Sequence, residues 1–79
     1  MELTVLLFAS WAEALGGPSV VLRLPAEATV SDVLREATDR AEGRVLPRPL
    51  VAVNHKYATP ETPVRQGDEV AIIPPVAGG

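Results

Sequence analysis

The chain has 79 residues, a net charge of −3, no cysteine and one histidine, His55. That length implies one small domain. The missing thiols exclude a disulfide framework, thiol catalysis and a persulfide carried on the protein, and a lone histidine excludes a single-chain zinc site, so no bound metal or cofactor is expected. Seven scattered Lys and Arg residues form no stripe suited to nucleic acid, and no apolar run approaches the ~18 residues of a membrane span, so a soluble cytoplasmic protein is the expectation.

Leu3 to Phe8 predicts a first strand, with Leu3, Val5 and Leu7 on one face and Thr4, Leu6 and Phe8 on the other. Ala9 to Leu15 is rich in helix formers and predicts a short helical turn that Gly16-Gly17-Pro18 ends. Val20 to Leu24 predicts a second strand with Val20, Leu22 and Leu24 inward, closed by Pro25. A longer helix follows. Thr29 is placed as its N-cap with Asp32 three residues on, and Val30, Val33, Leu34, Ala37 and Ala41 make one apolar stripe. Glu36 and Arg40 stand at i, i+4 on its exposed side, and Gly43 is the expected stop.

Arg44 to Pro49 reads as a loop, Leu50 to Val53 as a third strand, and Asn54-His55-Lys56 as a turn into a short return strand at Tyr57-Ala58. A proline-containing loop leads to Gln66-Gly67-Asp68-Glu69, which has turn chemistry, and Val70 to Ile73 predicts the last strand. His55 reads as a solvated turn residue, and Asp68 and Glu69 as turn and strand-edge residues rather than a catalytic carboxylate pair. Trp11 fits either the edge of the core or an interface.

The order is β-β-α-β-β-β with one long crossover helix. The economical packing sets the first and last strands side by side in mid-sheet with the helix over one face. That is an α+β fold of β-grasp, or ubiquitin-like, type with a mixed sheet. In that register Leu3, Val5, Leu7, Val70 and Ile72 face the helix, while Leu6, Phe8, Ala71 and Ile73 face away with nothing left to cover them. A contiguous apolar patch marks a partner surface. Scattered surface apolar residues, or a strand slipped by one position, are the alternatives.

Pro74-Pro75 stops the last strand, since two adjacent prolines remove two backbone donors. Residues 74–79 are expected to extend as a flexible functional tail of polyproline character, reaching on the order of 20 Å. Gly78 and Gly79 lack side chains and fit where no other residue would.

Three pieces carry a resemblance to a known family: Leu7-Phe8-Ala9, Gly67-Asp68-Glu69-Val70 and Pro74-Pro75-Val76-Ala77-Gly78-Gly79. Together they resemble the sulfur-carrier small subunit of molybdopterin synthase over essentially the whole chain. The Pro-Pro-Val-x-Gly-Gly ending is the most specific of the three. The Gly-Asp-Glu turn is shared with the thiamine-pathway sulfur carrier, which tends to lack the paired prolines. The chain departs from the pattern at Ala12, where the family often has arginine, at Ser10-Trp11, and at Ile72-Ile73, where aromatics are common.

The resemblance implies that Gly79 is adenylated by a ubiquitin-activating-like enzyme using ATP and magnesium, and is then converted to a thiocarboxylate by a sulfur donor. The tail would deliver that sulfur to cyclic pyranopterin monophosphate in the large subunit of molybdopterin synthase, within a heterotetramer. Phe8, Tyr57 and Ile73 would face the partner, and Pro74, Pro75, Val76, Ala77 and Gly78 would thread into it. The carrier would act as a sulfur-donating cosubstrate without catalytic residues of its own. A thiamine-pathway carrier, a ubiquitin-like modifier joined to target lysines and a plain interaction module are the competing readings.

Overall fold

The computed structural model of the chain describes residues 1–75. Its elements are β1 (Glu2–Leu7), α1 (Ala9–Leu15), β2 (Ser19–Arg23), α2 (Val30–Arg40), β3 (Leu50–Val53), β4 (Lys56–Tyr57) and β5 (Val70–Ile73). The strands form one sheet in the order β2-β1-β5-β3-β4. β1 and β5 are parallel in mid-sheet, with Val5, Leu6 and Leu7 opposite Val70, Ala71 and Ile72. The other three pairings are antiparallel. This is the β-grasp arrangement.

The alternation in β1 and β5 decides which face is covered. Leu3, Val5, Leu7, Val70 and Ile72 are all buried, and they form one cluster with Leu22, Trp11 and the α2 residues Val30, Val33 and Ala37. Val20, on the same side, packs against that cluster, while Arg23 is exposed. The register is therefore the unslipped one. Trp11 belongs to the core, and its indole N–H donates to the Pro47 carbonyl at 3.2 Å, which satisfies the one polar atom that burial would otherwise leave unpaired. This bond also ties α1 to the loop that follows α2.

Both helices end where local chemistry dictates. Gly16 takes a left-handed φ of 88° and donates to the Ala12 carbonyl, closing α1. At the start of α2 the Asp32 carboxylate accepts from the Thr29 backbone N–H at 2.9 Å and from its hydroxyl at 3.3 Å. The free N–H groups of Val30 and Ser31 donate to the carbonyls of Thr62 and Pro60 in the loop before β5. We expect Asp32→Ala to cost about 1 kcal/mol, a fall in melting temperature of roughly 4–8 °C for a domain this size; thermal denaturation followed by circular dichroism measures it.

Two details of α2 differ from expectation. The helix is capped at Ala41 and gives way to a turn in which Glu42 and Gly43 both have positive φ, so it ends before Gly43 is reached. Ala41 is buried against the core, and the left-handed turn after it redirects the chain. The ion pair on the helix is Arg35 with Asp32 at 3.3 Å. Arg40 and Glu36 do not pair among the described residues; Arg35 instead meets the Asp32 carboxylate, which its capping bonds to Thr29 hold one turn back.

Candidate functional site

The face of the sheet opposite the core is built in cross-strand rows. Leu7 lies opposite Ile72 and Ile72 opposite Val51, so the next outward row toward the end of β5 holds Phe8, Ile73 and Leu50. The middle row runs Ser19, Leu6, Ala71, Ala52, Tyr57, each opposite the next across neighbouring strands. The third row brings Thr4 beside Glu69, with Asn54 on the far side of Glu69. Apolar character thus increases toward the end of the sheet at which Pro74 follows.

These rows enclose an open trough of about 310 Å³ lined by Leu6, Phe8, Ala52, His55, Tyr57, Glu69, Ala71 and Ile73. Phe8 is 48% exposed and Tyr57 72% exposed, so two aromatic rings stand open to solvent on opposite sides of one trough. Phe8, Tyr57 and Ile73, named from the sequence, all border this trough. Pro74 and Pro75 follow Ile73 directly, outside the strand. The other residues named with them, Val76, Ala77, Gly78 and Gly79, lie outside the described residues.

Sequence reasoning read His55 and Glu69 as a turn and a strand-edge residue and named Ala52 only as part of the third strand. His55 is exposed in its turn, as expected, yet its Nε2 lies 2.5 Å from Glu69 Oε2 at the rim of the trough. The hairpin explains the contact. Asn54 and His55 have φ of 51° and 70°, the two left-handed residues that a two-residue loop between β3 and β4 requires. The register of β3 on β5 places that loop against the start of β5, where the Asn54 N–H donates to the Glu69 carbonyl at 2.7 Å. The available signal was the pairing of Val53 with Val70, which sequence spacing alone does not supply.

Asn54 and Asp68 lock this corner. The Asn54 side-chain carbonyl accepts from the Glu69 N–H at 2.9 Å, and its amide donates to Asp68 at 3.1 Å. Asp68 also accepts from the Arg65 backbone N–H at 2.8 Å, closing the turn at Gly67, whose φ is 93°. The Arg65 backbone bond first, and the Asn54 bond second, hold the Asp68 carboxyl below its ordinary value of 3.8, against a small opposing effect of burial.

A lowered folded-state pKa contributes stability above the unfolded value, and that contribution is lost as pH falls through the folded pKa. Asp68→Asn is therefore expected to melt below wild type at neutral pH, with the gap closing as pH drops below 3.8. Parallel melting curves of the two proteins from pH 7 to pH 2.5 check it; a gap that stays constant would show that the charge of Asp68 is not what the turn uses.

No group of His, Asp and Glu among the described residues is arranged to hold a metal ion, and no described charged side chain is buried. No helix of the described residues is long and apolar enough to cross a membrane.

The sequence matches the model of the ThiS family over residues 5–79. It is 37% identical to the molybdopterin synthase sulfur carrier subunit of Arabidopsis thaliana, in a match covering 100% of this chain and 84% of that protein. It is 34% identical to small archaeal modifier protein 3 of Haloferax volcanii, covering the whole of both chains. The crystal structure of small archaeal modifier protein 1 of H. volcanii superimposes with a TM-score of 0.80 at 27% identity, covering 95% of this chain and 98% of that one.

Proposed function

Since the chain belongs to the ThiS family, we propose that it is the sulfur carrier of molybdenum-cofactor synthesis and the small subunit of molybdopterin synthase. The observation that carries this reading is the uncovered apolar trough bordered by Phe8, Tyr57 and Ile73 at the root of Pro74-Pro75. Full-length likeness to a named carrier subunit supports it.

The chemistry follows from what a carboxylate lacks. The Gly79 carboxylate is a poor electrophile, so an adenylating partner joins it to AMP from ATP, with magnesium, and releases pyrophosphate. Sulfide supplied by a donor enzyme attacks the acyl carbon, AMP leaves, and a thiocarboxylate remains. Inside the large subunit that sulfur passes to cyclic pyranopterin monophosphate, and two carriers in succession complete the dithiolene. This chain supplies the docking face and the tail, while the partners supply the pockets. Docking converts the tail's encounter with the reacting centre into an intramolecular event, an effect of position and orientation.

The test is the intact mass of the purified protein after incubation with ATP, a ubiquitin-activating-like enzyme and a sulfur donor. Replacement of one oxygen by sulfur is expected, and its absence from a Gly79 deletion locates the change. Product formation with the large synthase subunit, rather than with a thiazole-forming enzyme, then separates molybdopterin from thiamine synthesis. The likeness to archaeal modifier proteins favours a second reading, conjugation of Gly79 to lysines of other proteins. Higher-mass adducts in lysate that vanish with Gly79 would establish it.

A further inference from the structure

The middle row of the outer face is large at its ends and small at its centre. Ala71 and Ala52 are direct cross-strand partners on the two adjacent strands β5 and β3. Leu6 flanks Ala71 on β1 and Tyr57 flanks Ala52 on β4. Leu6 and Tyr57 are thus three strand spacings apart, about 14 Å, with only two methyl groups between them. Phe8 and Ile73 close one end of this hollow, and the Glu69–His55 pair closes the other.

We infer that the alanine pair forms a socket for one large apolar side chain of the partner, and that Glu69 selects a cationic residue beside it. The inference rests on the sulfur-carrier reading, in which the partner is the large synthase subunit. A flat apolar face would accept many surfaces, whereas a hollow between Leu6 and Tyr57 demands a matching projection. The charge beside it is set by elimination. On this face Glu2 is already paired with Arg23 at 3.1 Å, and Asp68 is held by Arg65 and Asn54. Lys56 stands opposite Val53, which packs against the core, so it lies on the other side of the sheet. Glu69 is the carboxylate that lines the trough; its described partner is the exposed imidazole of His55 rather than a lysine or arginine, and the protein as a whole is acidic. A lysine or arginine on the partner is the complementary group.

The experiment is calorimetric titration of the recombinant large subunit of molybdopterin synthase from the same organism with wild type, Ala71→Leu, Ala52→Leu, Glu69→Gln and Val21→Leu. Melting curves verify that each variant is folded. Val21 is exposed on edge strand β2, opposite Thr4 on the same face but outside the lining of the hollow, and its enlargement is the same-face control. Filling the socket from either strand is expected to weaken binding by about tenfold or more, with the Val21 variant unchanged. Wild-type affinity should fall as salt is raised, and Glu69→Gln should flatten that dependence.

Wild-type binding with unchanged affinity in both folded alanine variants overturns the socket and leaves the carrier reading intact. No binding by wild type overturns both. A concentration-dependent dimer of the free protein that Ala71→Leu abolishes would assign the hollow to a second copy, which also overturns the inference.

Discussion

Deletion of Gly79 is expected to reduce sulfur transfer to background while leaving the fold in place. In the proposed mechanism the acyl carbon of Gly79 is the atom that is adenylated and then carries sulfur, so its removal eliminates the reacting group rather than weakening a contact. Gly78→Leu should be nearly as severe for another reason. In that mechanism the backbone enters a partner channel built for a chain without side chains, and a bulky residue next to the reacting carbon would displace it. The core cluster of the described residues is built between Leu3 and Ile72, and on the proposed reading the melting temperature should move by no more than about 2–4 °C. Thiocarboxylate formation by intact mass, product formation with the large subunit, and thermal melting measured on the same preparations check the three parts. Full activity in the Gly79 deletion would remove the basis of a carrier and favour an interaction module.

The elements that position this chemistry were legible because each rests on a local signal. Strict alternation in β1 and β5 assigned both faces, and the structure keeps that assignment: Val5, Val70 and Ile72 are fully buried and Phe8 is half exposed. The Thr29–Asp32 pair marked the start of α2, and Pro74 marked the end of β5. Phe8 and Ile73 could be placed on one surface by parity alone once the first and last strands were taken as neighbours. The corner formed by Asn54, His55, Asp68 and Glu69 was different. These residues are 14 or 15 positions apart and meet only through the register of β3 on β5, a tertiary outcome that no local pattern encodes. The end of α2 was likewise set by burial of Ala41 and by Glu42 taking a left-handed conformation, for which Gly43 was the more natural candidate.

Neighbouring isoleucines give the sharpest separation of fold from function. Ile72 is fully buried on β5, between β1 and β3, whereas Ile73 points to the trough and is partly exposed. Ile72→Ala removes core contacts on both sides of the central strand and leaves a cavity, which costs about 3–4 kcal/mol. A domain of this length has roughly 4–12 kcal/mol of stability in total. The melting temperature should therefore fall by on the order of 15–25 °C, and any remaining folded fraction should bind partner normally, because the trough is unchanged. Ile73→Ala should do the reverse. Its outward side chain can relax into solvent, so its stability cost should stay below about 1 kcal/mol, while affinity for the large subunit falls by about tenfold or more as an apolar wall beside the tail root is lost. Melting curves and binding titrations on the two variants decide the matter. If both lose stability equally, the sheet is read from the wrong side, and the surface assigned to partners is part of the core.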